Sequence, residues 1–487
     1  MRKMGLVIVF ALVLAVRLFF AYSTPYLTAD DAYFEYRVVE HILDSGLPIF
    51  EDSLSWGGST FVINPIFSYV LAFFGLFFPL GLVLKLVPNI LASLLVIPVF
   101  LIVYHCVKKY WIALFAALIS SFIPIFISKT FNHVSPATLV VPIFFMALYA
   151  WLRSPNRFWT YLFVALIIIF SFLHPLSIVF VMGLAVYIII CAAERIKLSS
   201  ADFELLLFSI GFVIWAEFIL YKKAILFHGL SVVWLNIPTE LLSLSFSQLN
   251  ILVVLLQVGF FPLIIGSYVL YRNIFKTKRK DIVLLFSMVF VFVILLWLNL
   301  VEFYLGLMIL GVLLVILLAD GFSEFQTFFA KTKFAHLQKI LTPLFVMIII
   351  ASLVVPSIFA MRQEVSSTIT YDDVSAFIWL RDNADSADVV LAPVEMGHYI
   401  TSIAGTKNVI DTYFVLHEDA EERYTDVERA YQSVLETEIV GIFDKYSASF
   451  VLVPMGTHFA RSECFIEVFD STIRVFRKDP RCHLRAV

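Results

Sequence analysis

What constrains this chain most is a succession of apolar windows, each near the roughly 20 residues an α-helix needs to cross the hydrocarbon of a bilayer. They fall near 5–22, 83–107, 110–128, 136–153, 158–173, 175–192, 203–221, 249–271, 281–299, 303–319 and 340–360. This pattern predicts a polytopic α-helical membrane protein of about eleven transmembrane helices, since only a helix satisfies all its backbone groups within one segment in lipid. Composition agrees: 61% of the 487 residues are hydrophobic and 15% charged, against about 45–50% and about 25% in an ordinary soluble domain. The net charge of −3 is too small to argue for nucleic acid as a partner. The first window opens with the basic start of a secretory signal. Its apolar run is too long and lacks a small-residue cleavage site, so it reads as a retained span.

The run "VINPIFSYVLAFFGLFFP" at 62–79 is a twelfth candidate, and its status sets the side on which every later loop lies. If it lies along the interface, the cytoplasmic segments hold Arg2, Lys3, Lys108, Lys109, Arg153, Arg157, Arg195, Lys197, Arg272, Lys276, Lys278, Arg279, Lys280, Lys331, Lys333 and Lys339. The other side keeps Arg37, Lys85, Lys129, Lys222 and Lys223 among its inter-helix loops. If 62–79 crosses, this order inverts. The positive-inside rule selects the first arrangement, and Pro65, Pro79 and the flanking aromatics suit a surface-lying segment. The N-terminus is then cytoplasmic at the cell membrane.

Residues 1–361 accordingly form a transmembrane domain with a large first outer loop at 23–82. Residues 362–487 form a soluble outer α/β domain, in which "DVVLAP", "KNVIDTYF", "ASFVLVP" and "STIRVFRKD" read as strands alternating with helices near 372–383 and 418–436. Cys464 and Cys482 flank a hairpin there, either as a disulfide or as free thiols. Cys106 and Cys191 lie in spans as packing residues.

The polar groups hardest to explain gather on the outer side. In "TADDAYFEYRVVEHILDSGLP" at 28–48, the apolar spacing predicts a surface helix with Asp30 or Asp31 as its N-cap and Gly46 with Pro48 as its stop. One aspartate suffices to cap. A second carboxylate is then left at the mouth of a membrane cavity, where burial or a divalent ion can recruit it. His174 in "SFLHPLS" reads either as a structural residue or as a ligand contact. Asn132 and His133 can cap the helix beginning near Pro136 or bind an anionic or sugar group. Glu302 reaches to water or faces a cavity. The spans read as clean at mid-depth, which favours a surface enzyme over a transporter.

"DAYFEYR", "SKTFNHVSPATLVVP" and "FIWLRDNADSADVVLAPVEMGHYITSIAGTKNVIDTYF", continuing into "ERYTDVERAYQS" and "KYSASFVLVP", resemble the polyprenyl-dependent GT-C glycosyltransferases. The closest likeness is to archaeal oligosaccharyltransferase catalytic subunits and their shorter relatives. "DSLSWGGSTFVINPIFSYVLAFF" similarly resembles the membrane-lying part of that family's first external loop. The resemblance implies transfer of a sugar from a polyprenyl-phosphate-linked donor to a glycan, lipid or protein acceptor at the outer face of the membrane. It puts the catalytic role on Asp31, as general base or as ligand to Mn²⁺ or Mg²⁺. The substrate-binding candidates are Asp30, Arg37, Lys129, Asn132, His133, His174, Glu302, Glu395 and His398, with Lys129 supplying positive charge for the donor phosphate.

Three departures from that family stand out. Asn132 and His133 replace an acidic pair, so metal dependence is expected to be weak. The acceptor-reading WWDYG motif aligns with Pro393, Val394, Glu395, Met396 and Gly397, without its tryptophans. Glu302 aligns with a basic residue. These departures argue against asparagine-directed protein glycosylation. The alternatives are an oligosaccharyltransferase acting on protein asparagine, or a non-catalytic binding or transport protein on the same scaffold.

Overall fold

The computed structural model describes residues 2–154, 156–229, 251–273, 279–333, 335–413, 416–417, 419–459 and 462–483. Lys276 and Lys278 of the cytoplasmic set lie outside the described residues.

Helices occupy each predicted window. They are α1 (Arg2–Ala21), α4 (Leu80–Ser93) running into α5 (Val96–Val107), α6 (Tyr110–Ser121) with α7 (Pro124–Ser128), α8 (Ala137–Leu152), α9 (Arg157–Leu173), α10 (Leu176–Ala193) and α11 (Ser200–His228). There follow α12 (Ile251–Val258), α13 (Phe260–Arg272), α14 (Lys280–Trp297), α15 (Phe303–Phe329) and α16 (Gln338–Ser366). Among the described residues, seven spans are long and apolar enough to cross a membrane, or eight if α12 and α13 count as one. The shorter apolar helices α6, α8 and α9 fill the remaining windows.

Two more helices precede the second span, α2 (Asp30–Ser45) and α3 (Pro65–Gly75). α3 is the helical part of 62–79. Its 11 residues reach only about 16 Å at 1.5 Å per residue, too short for a hydrocarbon core of about 30 Å.

The expectation of clean spans is corrected in two ways. α12 and α13 are bent by 101° at Gly259, which takes a left-handed φ of +99° and would place a Cβ 2.4 Å from Leu353 Cδ2. That φ disfavours any L side chain. The spans also bury ionisable groups. Arg17 is fully buried and donates to Asn89 Oδ1 at 3.1 Å and to Thr130 Oγ1 at 2.7 Å. Glu217 on α11 is buried and accepts the Ser177 hydroxyl at 2.9 Å.

The chain packs as two compact units. The first takes residues 1–24, 81–219 and the described part of 243–366. Its centre is α15, whose side chains are buried from Leu305 to Asp320.

The second unit takes residues 25–80, the described part of 220–242, and 367–483. Its strands are β1 (Glu51–Asp52), β2 (Ser59–Thr60), β3 (Val389–Leu391), β4 (Lys407–Asn408), β5 (Ala448–Pro454), β6 (Phe465–Phe469) and β7 (Ile473–Lys478). β3 to β7 form a mixed sheet in the order β4-β3-β5-β7-β6, with β3 parallel to β4 and β5 and the other pairs antiparallel. The helices are α17 (Tyr371–Asn383), α18 (Ala420–Gln432) and α19 (Glu436–Tyr446). α17 opens with a capping box between Thr370 and Asp373, which satisfies two otherwise orphaned N–H groups. β3, β4, β5, β7, α17 and α18 follow the sequence reading, β6 is the first arm of the hairpin read between Cys464 and Cys482, and α19 was not read from it. Cys464 and Cys482 are joined as a disulfide across the β6–β7 hairpin.

Residues 25–80 share this unit's core. Trp56 packs against the cluster of Leu391, Val409, Val427, Phe443 and Val451. The Arg423 guanidinium lies 4.8 Å over its ring and donates to the Trp56 and Val409 carbonyls.

Candidate functional site

The first turn of α2 does not use its acids as the sequence predicts. The N-cap is Ala29, so neither Asp30 nor Asp31 holds that position. Both sit in the first turn, where the helix dipole favours negative charge, and both bond to residues almost 400 positions away. Asp30 Oδ1 accepts the Tyr399 N–H at 3.0 Å. Asp31 Oδ1 accepts the Thr412 hydroxyl at 2.8 Å. The stop at Gly46 is as expected, with a left-handed φ of +81°.

His398 completes the group, its Nε2 lying 3.1 Å from Thr412 Oγ1. A hydroxyl has one proton to give, and Thr412 gives it to Asp31. His398 must therefore donate from Nε2, and in the neutral ring Nδ1 then carries a lone pair. That Nδ1 is buried with no hydrogen-bond partner, as is Asp30 Oδ2. One ligand atom each from Asp30, Asp31 and His398 lies within 4.8 Å of the others. Two carboxylates and an imidazole with orphaned buried acceptors fit a divalent cation.

Backbone packing explains why His398 arrives there. A Cβ on Gly397 would lie 2.5 Å from Asp411 Cβ and 2.6 Å from the Ile410 carbonyl oxygen, so only glycine lets the 397–399 turn approach 410–412. Asp411 is buried and holds that segment, accepting from Asn408 Nδ2 at 3.1 Å and from the Tyr413 N–H at 2.8 Å. The Tyr413 hydroxyl takes the Val62 N–H at 2.9 Å. Phe34 packs on His398 and Tyr413, with ring centroids 5.0 and 5.5 Å away.

Burial, then the charge of Asp31, pushes the Asp30 carboxyl well above the carboxylate range, partly opposed by the Tyr399 N–H. Glu35, one turn along α2 from Asp31, is raised to about 7 by burial against its 2.9 Å hydrogen bond from Ser68. Asp31 itself is exposed.

The other candidates divide by unit. In the second, Arg37 is spent on the buried Asp52, which removes it as a free substrate cation, and Glu395 is exposed. In the first, Lys129 pairs with Glu364 at 2.8 Å and His133 contacts the same carboxylate at 3.3 Å. The Lys129 charge is thus compensated within the protein, contrary to the expectation that it stands free for phosphate. Asn132 is buried on the same loop. His174 Nδ1 accepts the Leu176 N–H at 3.1 Å, capping the start of α10, and burial lowers its pKa to about 4. This contact fits the structural of its two readings. Glu302 is exposed at the N-cap position of α15.

Thr412, Asp411, Tyr399, Glu35 and Glu364 were missed by sequence reasoning. The "DT" of "NVIDTYF", an aspartate placed to bond the backbone two residues on, was the available signal for the 411–413 turn.

Sequence comparison finds no matching protein-family model and no matching curated protein. Solved structures do match. The oligosaccharyltransferase of Archaeoglobus fulgidus in its apo form gives a TM-score of 0.68 at 14% identity, covering 91% of this chain and 69% of that one. The same protein in complex with zinc and sulfate gives 0.65 at 15%, covering 90% and 67%. ArnT from Cupriavidus metallidurans bound to undecaprenyl phosphate gives 0.59 at 10%, covering 99% of both chains.

The fold is that of the GT-C membrane glycosyltransferases. The GT-C likeness extends to the mycobacterial arabinofuranosyltransferase AftD, with a TM-score of 0.59 at 12% identity over 97% of this chain and 40% of that one.

Proposed function

We propose that this chain is a membrane glycosyltransferase that moves a sugar from a polyprenyl-phosphate-linked donor to a glycan, lipid or protein acceptor, with Asp31 as general base. The observation that carries the reading is the geometry of Asp31. It is an exposed carboxylate whose Oδ1 is fixed by Thr412, within a fold whose ArnT representative is bound to undecaprenyl phosphate.

In the reaction, the acceptor oxygen or nitrogen forms a bond to the anomeric carbon as the bond from that carbon to the donor phosphate oxygen breaks. The phosphate leaves with the bonding electron pair, and the acceptor proton passes to Asp31. A hydroxyl is a poor nucleophile at neutral pH, and a positioned base contributes about 10²–10⁴-fold. Thr412 and His398 orient the carboxylate. The proton of Thr412 is committed to Asp31, and His398 holds the hydroxyl in that sense.

Asp30, Asp31 and His398 would hold a divalent cation, in which case Asp31 would serve as its ligand rather than as base, and the imidazole suits Mn²⁺ or Zn²⁺ better than Mg²⁺. Such a cation would supply positive charge for the departing phosphate. Burial raises the Asp30 carboxyl well above the carboxylate range, so cation uptake there would be linked to proton loss. On this reading the N-terminus is cytoplasmic and the second unit external, as the loop charges support. The segment Pro393–Gly397 carries no tryptophan, which supports an acceptor other than an asparagine sequon.

The test is transfer from a radiolabelled polyprenyl-phosphate sugar by the purified protein, with glycan, lipid and Asn-x-Thr peptide acceptors in separate arms. Labelled glycan or lipid supports the proposal. Labelled peptide alone would make the chain an oligosaccharyltransferase. Donor binding without turnover in any arm would make it a binding protein.

A further inference from the structure

α15 ends at Phe329 and α16 begins at Gln338, and the two helices wall an apolar slot of about 180 Å³ lined by Phe325, Phe329, Leu341, Leu344, Phe345 and Ile348, with Thr342 as its polar member. The Phe325 ring centroid lies 5.8 Å from that of Phe329 and 6.1 Å from that of Phe345. Phe325, Leu341, Leu344 and Ile348 are exposed, so the slot opens outward. Both helices belong to segments long and apolar enough to cross a membrane. An outward concavity on such a pair meets lipid, and its apolar lining suits an acyl chain.

The rim of this slot is cationic. Lys331 follows the lining Phe329 by two residues, Lys339 precedes the lining Leu341 by two, and Lys333 stands in the turn between them. Two residues of chain span at most about 7 Å, and the flexible lysine stem carries its ammonium further. Both ammonium groups therefore reach the mouth of the slot. All three lysines are exposed.

No acid offsets them locally. The chain carries neither Asp nor Glu from 325 to 361, and no carboxylate is among the described residues that line the slot. The acid just before this stretch, Glu324, is committed to Arg272. Lys109 adds a further cation at this end of α15, its Nζ lying 3.4 Å from the Ser323 carbonyl oxygen. An acyl-sized slot with uncompensated lysines on its rim matches both halves of an anionic lipid, for which basic pockets between membrane helices are selective.

We propose that the α15–α16 hairpin binds an anionic membrane phospholipid, with the headgroup phosphate held by Lys331 and Lys339, Lys333 beside them, and an acyl chain in the slot between Phe325 and Phe345. The site lies within the first unit, shares no residue with the sugar-transfer group and does not rest on that reading.

The test uses full-length protein in nanodiscs of phosphatidylcholine doped with phosphatidylglycerol, followed by native mass spectrometry of retained lipid. Retention of phosphatidylglycerol over phosphatidylcholine is expected to be roughly tenfold or more, falling below about threefold in the double variant Lys331→Gln, Lys339→Gln. Thr342→Phe fills the slot with the lysines intact and is expected to lower the retention of phosphatidylglycerol as far. Circular dichroism of each variant keeps a folding defect from passing as lost binding. Equal retention of the two lipids by the parent protein, or an unchanged preference in either folded variant, would overturn the proposal. A further arm adds inorganic phosphate. Displacement of phosphatidylglycerol at low millimolar phosphate would assign the lysines to a free anion and overturn the lipid assignment.

Discussion

Thr412 donates its hydroxyl to Asp31 across 2.8 Å, joining residues 381 positions apart. A hydrogen bond to a charged group contributes about 1.5–3 kcal/mol, and here its value is orientation of the proposed base. Thr412→Val keeps the shape and removes the hydroxyl. It is expected to lower kcat/KM for sugar transfer about 10- to 100-fold, with Thr412→Ser restoring most of it. Equal rates for the valine and serine variants would remove Thr412 from the account.

Gly397→Ala tests the packing that delivers His398. The added methyl would meet Asp411 Cβ at 2.5 Å and the Ile410 carbonyl oxygen at 2.6 Å, and backbone cannot swing aside as a flexible side chain can. Overpacking of this kind costs about 1–3 kcal/mol. A lower melting temperature is expected, together with loss of transfer at temperatures where the protein remains folded. A neutral effect on both would show that the turn has slack.

How far the sequence carried this picture depends on the range of the determining interactions. Apolar length alone placed the spans, because a lipid-embedded helix answers to local composition. The bend at Gly259 was not legible, since a glycine within an apolar run carries no signal of the left-handed φ it takes here. Asp31 was legible from its place after the first span and from the family likeness. Its partner Thr412 was not, because a threonine in a turn has no periodic signature. Capping was the reasonable local reading of Asp30 and Asp31, and it failed because Ala29 is the N-cap and the 397–412 segment offers both acids other partners. Lys129 looked like a free cation because Glu364 is 235 positions away, and Arg37 did because Asp52, 15 positions on, lies beyond any local pairing rule.

Glu35 gives a pH signature. In the folded state it holds its proton up to about 7, against an ordinary value of 4.5. The folded protein therefore binds more protons between those values. The contribution of this group to stability is full below 4.5 and is lost as pH rises through 7. Glu35→Gln removes that dependence. Its melting temperature relative to the parent is expected to rise from pH 5 to about pH 7 and to level off by pH 8. A constant offset across that range would contradict the assignment.

The Asp30–Asp31–His398 group predicts a direct binding result. Isothermal titration of the purified protein with Mn²⁺ is expected to show a single saturable site, weakened tenfold or more in His398→Gln. Because burial raises the Asp30 carboxyl, the affinity is expected to increase with pH. Binding that is unchanged by the His398 substitution would place any metal elsewhere.

The most direct test of the central claim is sugar transfer by Asp31→Asn from a radiolabelled polyprenyl-phosphate donor, under conditions where the parent protein turns over. Asparagine keeps the size and the Thr412 contact but cannot take the acceptor proton. The account predicts a fall of about 10²–10⁴-fold in kcat with donor binding intact. Transfer at the parent rate would contradict it.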